Sequence, residues 1–156
     1  MNEKPKLYML VGVPGSGKST WVENQNWAKD CAVISTDRWV ELEAERTGKT
    51  YSEIFQEYMP KAVEMMAIQV ELARDKGLDI IWDQTSTTIH TRAKKFRMLP
   101  EYYAIAVVFR IPEPDELQKR LASRPGKVIP SEVLQSMIDR WEEPTEDEGF
   151  KEIWRA

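Results

Sequence analysis

Short apolar runs alternating with amphipathic segments predict an α/β domain, a parallel four-stranded sheet flanked by helices. A glycine-rich turn between the first run and the first helix points the same way. A length of 156 residues, about one ordinary domain's worth, argues against a separate substrate domain.

Lys6 to Val13 reads as a buried strand and Lys18 to Ala28 as the helix after the glycine-rich turn, the start of a βαβ unit. Ala32 to Ser35 is a second short strand. Asp37 to Arg46 reads helical, with Trp39 and Leu42 spaced for one face. A longer helix is expected from about Ser52 to Lys76, broken or kinked at Pro60 and stopped by Gly77. Leu78 to Trp82 is the third strand, ending at Asp83. In the next helix Ile89, Ala93 and Phe96 share one face and leave Arg92, Lys94, Lys95 and Arg97 on the others. Ala104 to Phe109 is the fourth strand. Asp115 and Gln118 have capping-box spacing at the start of a further helix. The turn-forming segment from Ser123 to Pro130 reads as a mobile lid, taken with the preceding helix end as about 120–130. Ser131 is expected to cap a final helix to about Glu143, and an acidic tail fills about 144–156. The whole of 1–156 is expected to be one domain.

The longest apolar stretches, Ala104 to Phe109 and Leu10 to Val13, fall far short of the roughly 18 to 20 residues of a membrane span. The charged start Met-Asn-Glu-Lys-Pro-Lys lacks a signal-peptide pattern, so a cytoplasmic protein with no membrane partner is expected. One cysteine, Cys31, and one histidine, His90, exclude an internal disulfide and a Cys/His zinc site. The net charge is −4, yet residues 131–156 hold eight acids and three bases while 89–130 hold nine bases and four acids. A polyanion could dock locally on a chain that is acidic overall.

Gly12-Val13-Pro14-Gly15-Ser16-Gly17-Lys18-Ser19 matches the phosphate-binding pattern G-x-x-x-x-G-K-[ST] between a strand and a helix. Glycines let backbone N–H groups curl round phosphates, Lys18 reaches the β/γ oxygens, and Ser19 can ligate Mg²⁺. The loop, with Thr20 after it, implies ATP and Mg²⁺ as cofactors. What happens to the triphosphate is read elsewhere. No Asn-Lys-x-Asp guanine reader occurs, and Gln84, not a second acid, follows Asp83. A kinase needs an acid near the acceptor hydroxyl and mobile arginines. Asp37, just after the second strand, is the base candidate; a helix-start acid is the plainer alternative. Arg124 is the lid candidate, and Arg120 one turn earlier either joins it or pairs with Glu116. Asp83 either holds a Mg²⁺ water and the acceptor or caps its turn, with Thr85 and Ser86 beside it. Trp39 is a candidate for stacking on a base.

This ordered set resembles the 5'-hydroxyl polynucleotide kinases of the phage and eukaryotic end-repair type along almost the whole chain. Gly12 to Trp21 is similar to that family's phosphate loop and Ser35-Thr36-Asp37 to its base segment. Asp83-Gln84-Thr85-Ser86 with Arg92 resembles its acceptor segment, and Arg124 to Pro130 its lid. Met137, Glu143-Pro144-Thr145 and Glu148-Gly149-Phe150 are similar to the C-terminal segment of its eukaryotic members. The resemblance implies an adenylate-kinase-like P-loop kinase fold and transfer of the ATP γ-phosphate to 5'-hydroxyl ends of DNA or RNA. It assigns Lys18, Asp37 and Arg124 to catalysis, and Asp83, Thr85 and Arg92 to the acceptor; Arg38 and Trp39, next to Asp37, are acceptor candidates from their position alone. Phage members carry an acceptor-phosphate arginine where this chain has Val40, and no Asp-x-Asp phosphatase motif occurs, so a stand-alone kinase is expected. A P-loop kinase of a small metabolite, nucleoside or sugar is the alternative reading, and a non-catalytic ATP-binding module a third.

Overall fold

The computed structural model describes residues 3–156; Met1 and Asn2, the start of the charged N-terminal segment, lie outside them. Five parallel strands form one sheet: β1 (Lys6–Val11), β2 (Ala32–Ile34), β3 (Ile80–Trp82), β4 (Tyr103–Val108) and β5 (Glu152–Arg155). Their spatial order is β2-β3-β1-β4-β5. Alternate residues of the central strands face opposite ways, so both sheet faces are apolar. Leu7, Met9 and Val11 face Ile80, Trp82 and Val108 and pack under Val70 and Leu99. Tyr8 and Leu10 face Ile105 and Val107 and pack under Trp21 and Trp27.

The fifth strand corrects the four-stranded expectation. In Glu152-Ile-Trp-Arg155 every residue but Ile153 is exposed, so the segment carries no buried-strand pattern. Pairing from Ile105↔Glu152 to Val108↔Arg155 makes it an edge strand. The end of the supposed acidic tail is thus a strand of the sheet.

The helices are α1 (Lys18–Glu23), α2 (Thr36–Thr47), α3 (Tyr51–Asp75), α4 (Ile89–Met98), α5 (Pro114–Ala122) and α6 (Ser131–Asp139). The first is shorter than expected, and a 3₁₀ turn at Asn26–Asp30 takes up its predicted end. Helix α3 runs unbroken through Pro60, started by a reciprocal Thr50–Glu53 capping box. Packing of Ile54 and Ala62 against Val40 and Ala44 of α2 carries it across the missing donor. The capping box expected at Asp115 is absent, because the cap position falls two residues earlier, at Glu113, with Pro114 opening α5. Ser131 is likewise the first residue of α6, with Pro130 at the cap position, so its hydroxyl does not cap the helix.

The largest correction concerns α4. Arg92 is fully buried, not an acceptor contact. Its Nε and Nη2 donate to the Glu148 carboxylate at 2.8 and 3.1 Å, and its guanidinium also donates to the carbonyls of Ser86 (2.9 Å) and Glu142 (3.0 Å). Lys95 is buried as well, its ammonium 5.4 Å from the Trp82 ring centre, and burial first, then Arg92 and Lys94, pushes its pKa down to about 8. The expected basic face is therefore split: Lys94 and Arg97 are exposed, Arg92 and Lys95 are inside. The residues from 142 to 150 cover this side of α4, with Phe150 against Phe96 at 4.9 Å. Arg92 ties that segment to the turn after β3. Glu148→Gln should accordingly destabilise the protein by about 3 kcal/mol or more, since it strands a buried guanidinium without its counter-charge. Urea unfolding checks it; an unchanged midpoint would mean that the cation finds other partners.

Candidate active site

Strand order reverses at β1, and the ends of β1, β2 and β3 meet there, where open parallel sheets collect ligands. The loop after β1 bends tightly over α5. Gly15 has φ +84°, and a Cβ there would stand 2.8 Å from Leu117 Cδ1, so only glycine fits. Gly12 N–H donates to the Thr85 carbonyl at 2.9 Å, joining the loop to the turn after β3.

Lys18 Nζ donates to the carbonyls of Gly12 and Val13 at 3.0 and 2.9 Å, folding the side chain back across its own loop. Burial pushes its pKa down to about 8, with Asp83 and Asp37 opposing and Arg124 and Lys127 adding to the shift. Its positive charge is present below that value and lost above it. Nucleoside triphosphate should therefore bind the free protein more weakly at about pH 9 than at about pH 7, which an equilibrium titration checks.

Ser19 Oγ donates to Asp83 Oδ2 at 3.0 Å. Burial, with Asp37 adding and Lys18 and Ser19 opposing, raises the Asp83 pKa above its ordinary value. A hydroxyl and a carboxylate at this spacing are hard oxygen donors that suit Mg²⁺, with most of its shell left to water and phosphate. Ser16 Oγ is buried with no hydrogen-bond partner, a donor free for a phosphate oxygen. Together with the Gly15 cradle, these residues fit a Mg²⁺-bound triphosphate.

Asp37 lies in the first turn of α2, capped by Ser35, and its side chain is half exposed. Tyr51 Oη donates to its Oδ1 at 2.6 Å and Lys127 Nζ to its Oδ2 at 3.0 Å. Burial alone would raise its pKa; Lys127, Tyr51 and Lys18 outweigh that and hold it below its ordinary value. Lys127 also lies 3.7 Å from Glu41 and 4.4 Å from the Tyr51 ring centre. Tyr51 had no part in the expected site and nothing local marked it; Lys127 lies in the expected lid, where its pairing with Asp37 was not foreseen.

The loop between α5 and α6 rests on the α2–α3 turn. Ser52 N–H donates to the Gly126 carbonyl at 3.0 Å, and Val128 N–H donates to Ser52 Oγ at 2.8 Å. Gly126 has φ +73°, and a Cβ there would meet Thr50 Cβ at 2.8 Å. The predicted lid thus begins at about 123, residues 120–122 being helical. Arg120 pairs with Glu116 at 3.0 Å, the second of its two expected roles, and also donates to the Gly15 carbonyl at 3.1 Å, which ties α5 to the phosphate loop. Arg124 sits where its charge depresses the pKa of Lys18.

On the acceptor side, Arg38 is exposed on α2, Thr85 is partly buried in the turn after β3, and Thr20 is exposed in α1. Trp39 packs against the α2–α3 core, which turns it toward a structural role. Val40 is fully buried in that core, so this position cannot present a cation to an acceptor. Gln84 Nε2, which the expected site also omitted, donates to Thr36 Oγ1 at 3.0 Å and joins the ends of β2 and β3.

A phosphate loop at the switch point of a parallel sheet, acids at the two neighbouring strand ends and an arginine-bearing loop overhead define the P-loop kinase fold. The chain belongs to the AAA domain family, whose model matches residues 7–144. A candidate kinase from Chloroflexus aurantiacus j-10-fl superposes with a TM-score of 0.73 at 18% identity, covering all of this chain and 86% of that one. A chain of the Pnkp1/Rnl/Hen1 RNA repair complex gives 0.66 at 22% identity, over 90% of this chain and 45% of that one. Shikimate kinase from Acinetobacter baumannii, in complex with shikimate, gives 0.57 at 18%, over 99% and 85%. At these identities the likeness is one of fold. No curated protein matches the sequence significantly. Among the described residues no helix is long and apolar enough to cross a membrane.

Proposed function

We propose that the protein is an ATP-dependent phosphotransferase that moves the γ-phosphoryl group to the 5'-hydroxyl of a DNA or RNA end. The observation that carries the transfer reading is that Asp37 and Asp83 both stand close enough to Lys18 to act on its charge, with Ser19 Oγ on the Asp83 carboxylate. Asp37 takes the proton as the acceptor oxygen attacks the γ-phosphorus, and ADP leaves as the bridging P–O bond breaks. Lys18 holds the β/γ oxygens, and Arg124 meets the charge on the transferring group. Ser19 and Asp83 would hold a Mg²⁺ ion, which would supply positive charge to the phosphates. The ordered set of Asp37, the Asp83–Ser86 turn and the lid supports a polynucleotide acceptor, as does the likeness in fold to a chain of an RNA repair complex.

The burial of Arg92 and Lys95 favours a second reading, a small hydroxylated acceptor, because it removes half of the cationic face a polymer would use. Labelled ATP, Mg²⁺ and a panel of 5'-hydroxyl DNA, RNA, nucleosides and small sugars decides between them. Transfer to oligonucleotides is the expected result; transfer only to a small acceptor supports the second reading, and none at all supports a non-catalytic module.

A further inference from the structure

Asp37 is gripped on both carboxylate oxygens, from α3 on one side and from the lid on the other. From this geometry we infer that Tyr51 and Lys127 are positioning residues that aim and ionise the base, and that lid docking completes the base at the same moment as it brings Arg124 over the phosphate loop. The inference rests on the reading of Asp37 as the base.

Two donors on different elements remove the freedom of a surface carboxylate. Tyr51 reaches back along α2 from the first turn of α3, and its hydroxyl fixes Oδ1 at 2.6 Å. Its ring packs against the α2–α3 core and against Phe55 at 5.5 Å, so the donor is rigidly mounted. Lys127 comes from 90 residues away in sequence and is only 12% exposed although both its acidic partners are half exposed. It reaches Asp37 only while Gly126 and Val128 lie on Ser52. Arg124 and Lys127 are three residues apart on one loop, so a single closure serves both ends of the transfer.

The groups that face Asp37 are Tyr51 from α3, Lys127 from the lid, Lys18 from the phosphate loop and Asp83 after β3, with Glu41 on α2 sharing Lys127. The first three favour its ionised form and Asp83 opposes it. Removing Tyr51 Oη or Lys127 Nζ must therefore raise the Asp37 pKa.

The test uses Tyr51→Phe, which keeps the ring, and Lys127→Gln, which removes the charge and is one atom shorter. With aspartate carboxyl carbons ¹³C-labelled in the free protein, the Asp37 resonance should titrate at higher pH in both variants. In turnover, kcat should fall about tenfold or more with the KM for ATP little changed, and the acid limb of the pH profile should move to higher pH. In an Asp37→Asn background, Tyr51→Phe should add little, because the two act as one unit. An Asp37 titration that does not move in either variant overturns the clamp, and moved titrations with unchanged kcat overturn its catalytic use. If the unaltered protein phosphorylates nothing, the transferase reading fails while the titration still reports on the clamp itself.

Discussion

Asp37→Asn lowers kcat by about 10² to 10⁴ while nucleotide affinity and melting temperature stay close to those of the unaltered protein; this is the expected result of removing a general base and nothing else. Asparagine keeps the size, and its carbonyl oxygen can still accept from Tyr51. What disappears is the proton acceptor and the counter-charge to Lys127. That ion pair is partly exposed on the acid's side, so its loss costs little stability. Because the neighbours hold the carboxyl below its ordinary pKa, the base is ionised throughout the neutral range, and acid inactivation should set in only well below it. Steady-state kinetics, ATP binding and thermal melting decide the matter together. Normal turnover would make Asp37 a helix-start acid and send the search to Asp83; a large drop in melting temperature would make its role structural.

The parts of this site that were legible in the sequence are those carried by one short segment. Gly12 to Ser19 announces its own backbone, Asp83 directly follows β3 and Asp37 opens the helix just beyond β2, so the rule that ligands gather at strand ends locates them. Tyr51 was not legible, because it meets Asp37 only through the packing of α3 on α2. Lys127 depends on a loop docking with Thr50 and Ser52, over 70 residues away. The periodicity of α4 misled for a physical reason. Its apolar positions suggested one buried face, yet Ile89 is exposed and Arg92 and Lys95 are buried, since the segment 142–150 lies across the helix and brings Glu148 as a counter-ion. A pattern of side-chain polarity cannot register a buried ion pair, and the fifth strand escaped for the kindred reason that an exposed edge needs no apolar run.

Arg124→Ala should reduce turnover by about 10³ or more, the size of loss that removal of an arginine finger produces. Among the described residues its side chain makes no hydrogen bond or ion pair, in contrast with Arg120, which is held by Glu116 and the Gly15 carbonyl. Its backbone N–H does donate to the Leu121 carbonyl at 3.3 Å, which anchors the base of the loop. The charge is nonetheless close enough to add to the lowered pKa of Lys18 and to oppose the raised pKa of Tyr51, so it lies within electrostatic reach of the phosphate loop and of the base's partner. A free guanidinium at that place has no stabilising duty in the empty protein, and alanine should leave the melting temperature unchanged. Its work begins when negative charge builds on the transferring group, so the loss should fall on kcat and much less on ATP affinity. Lysine should restore little, because a point charge lacks the planar fork that spans two phosphate oxygens. Near-normal turnover of the alanine variant would transfer the role to Arg120, whose alanine variant would then show the large loss instead.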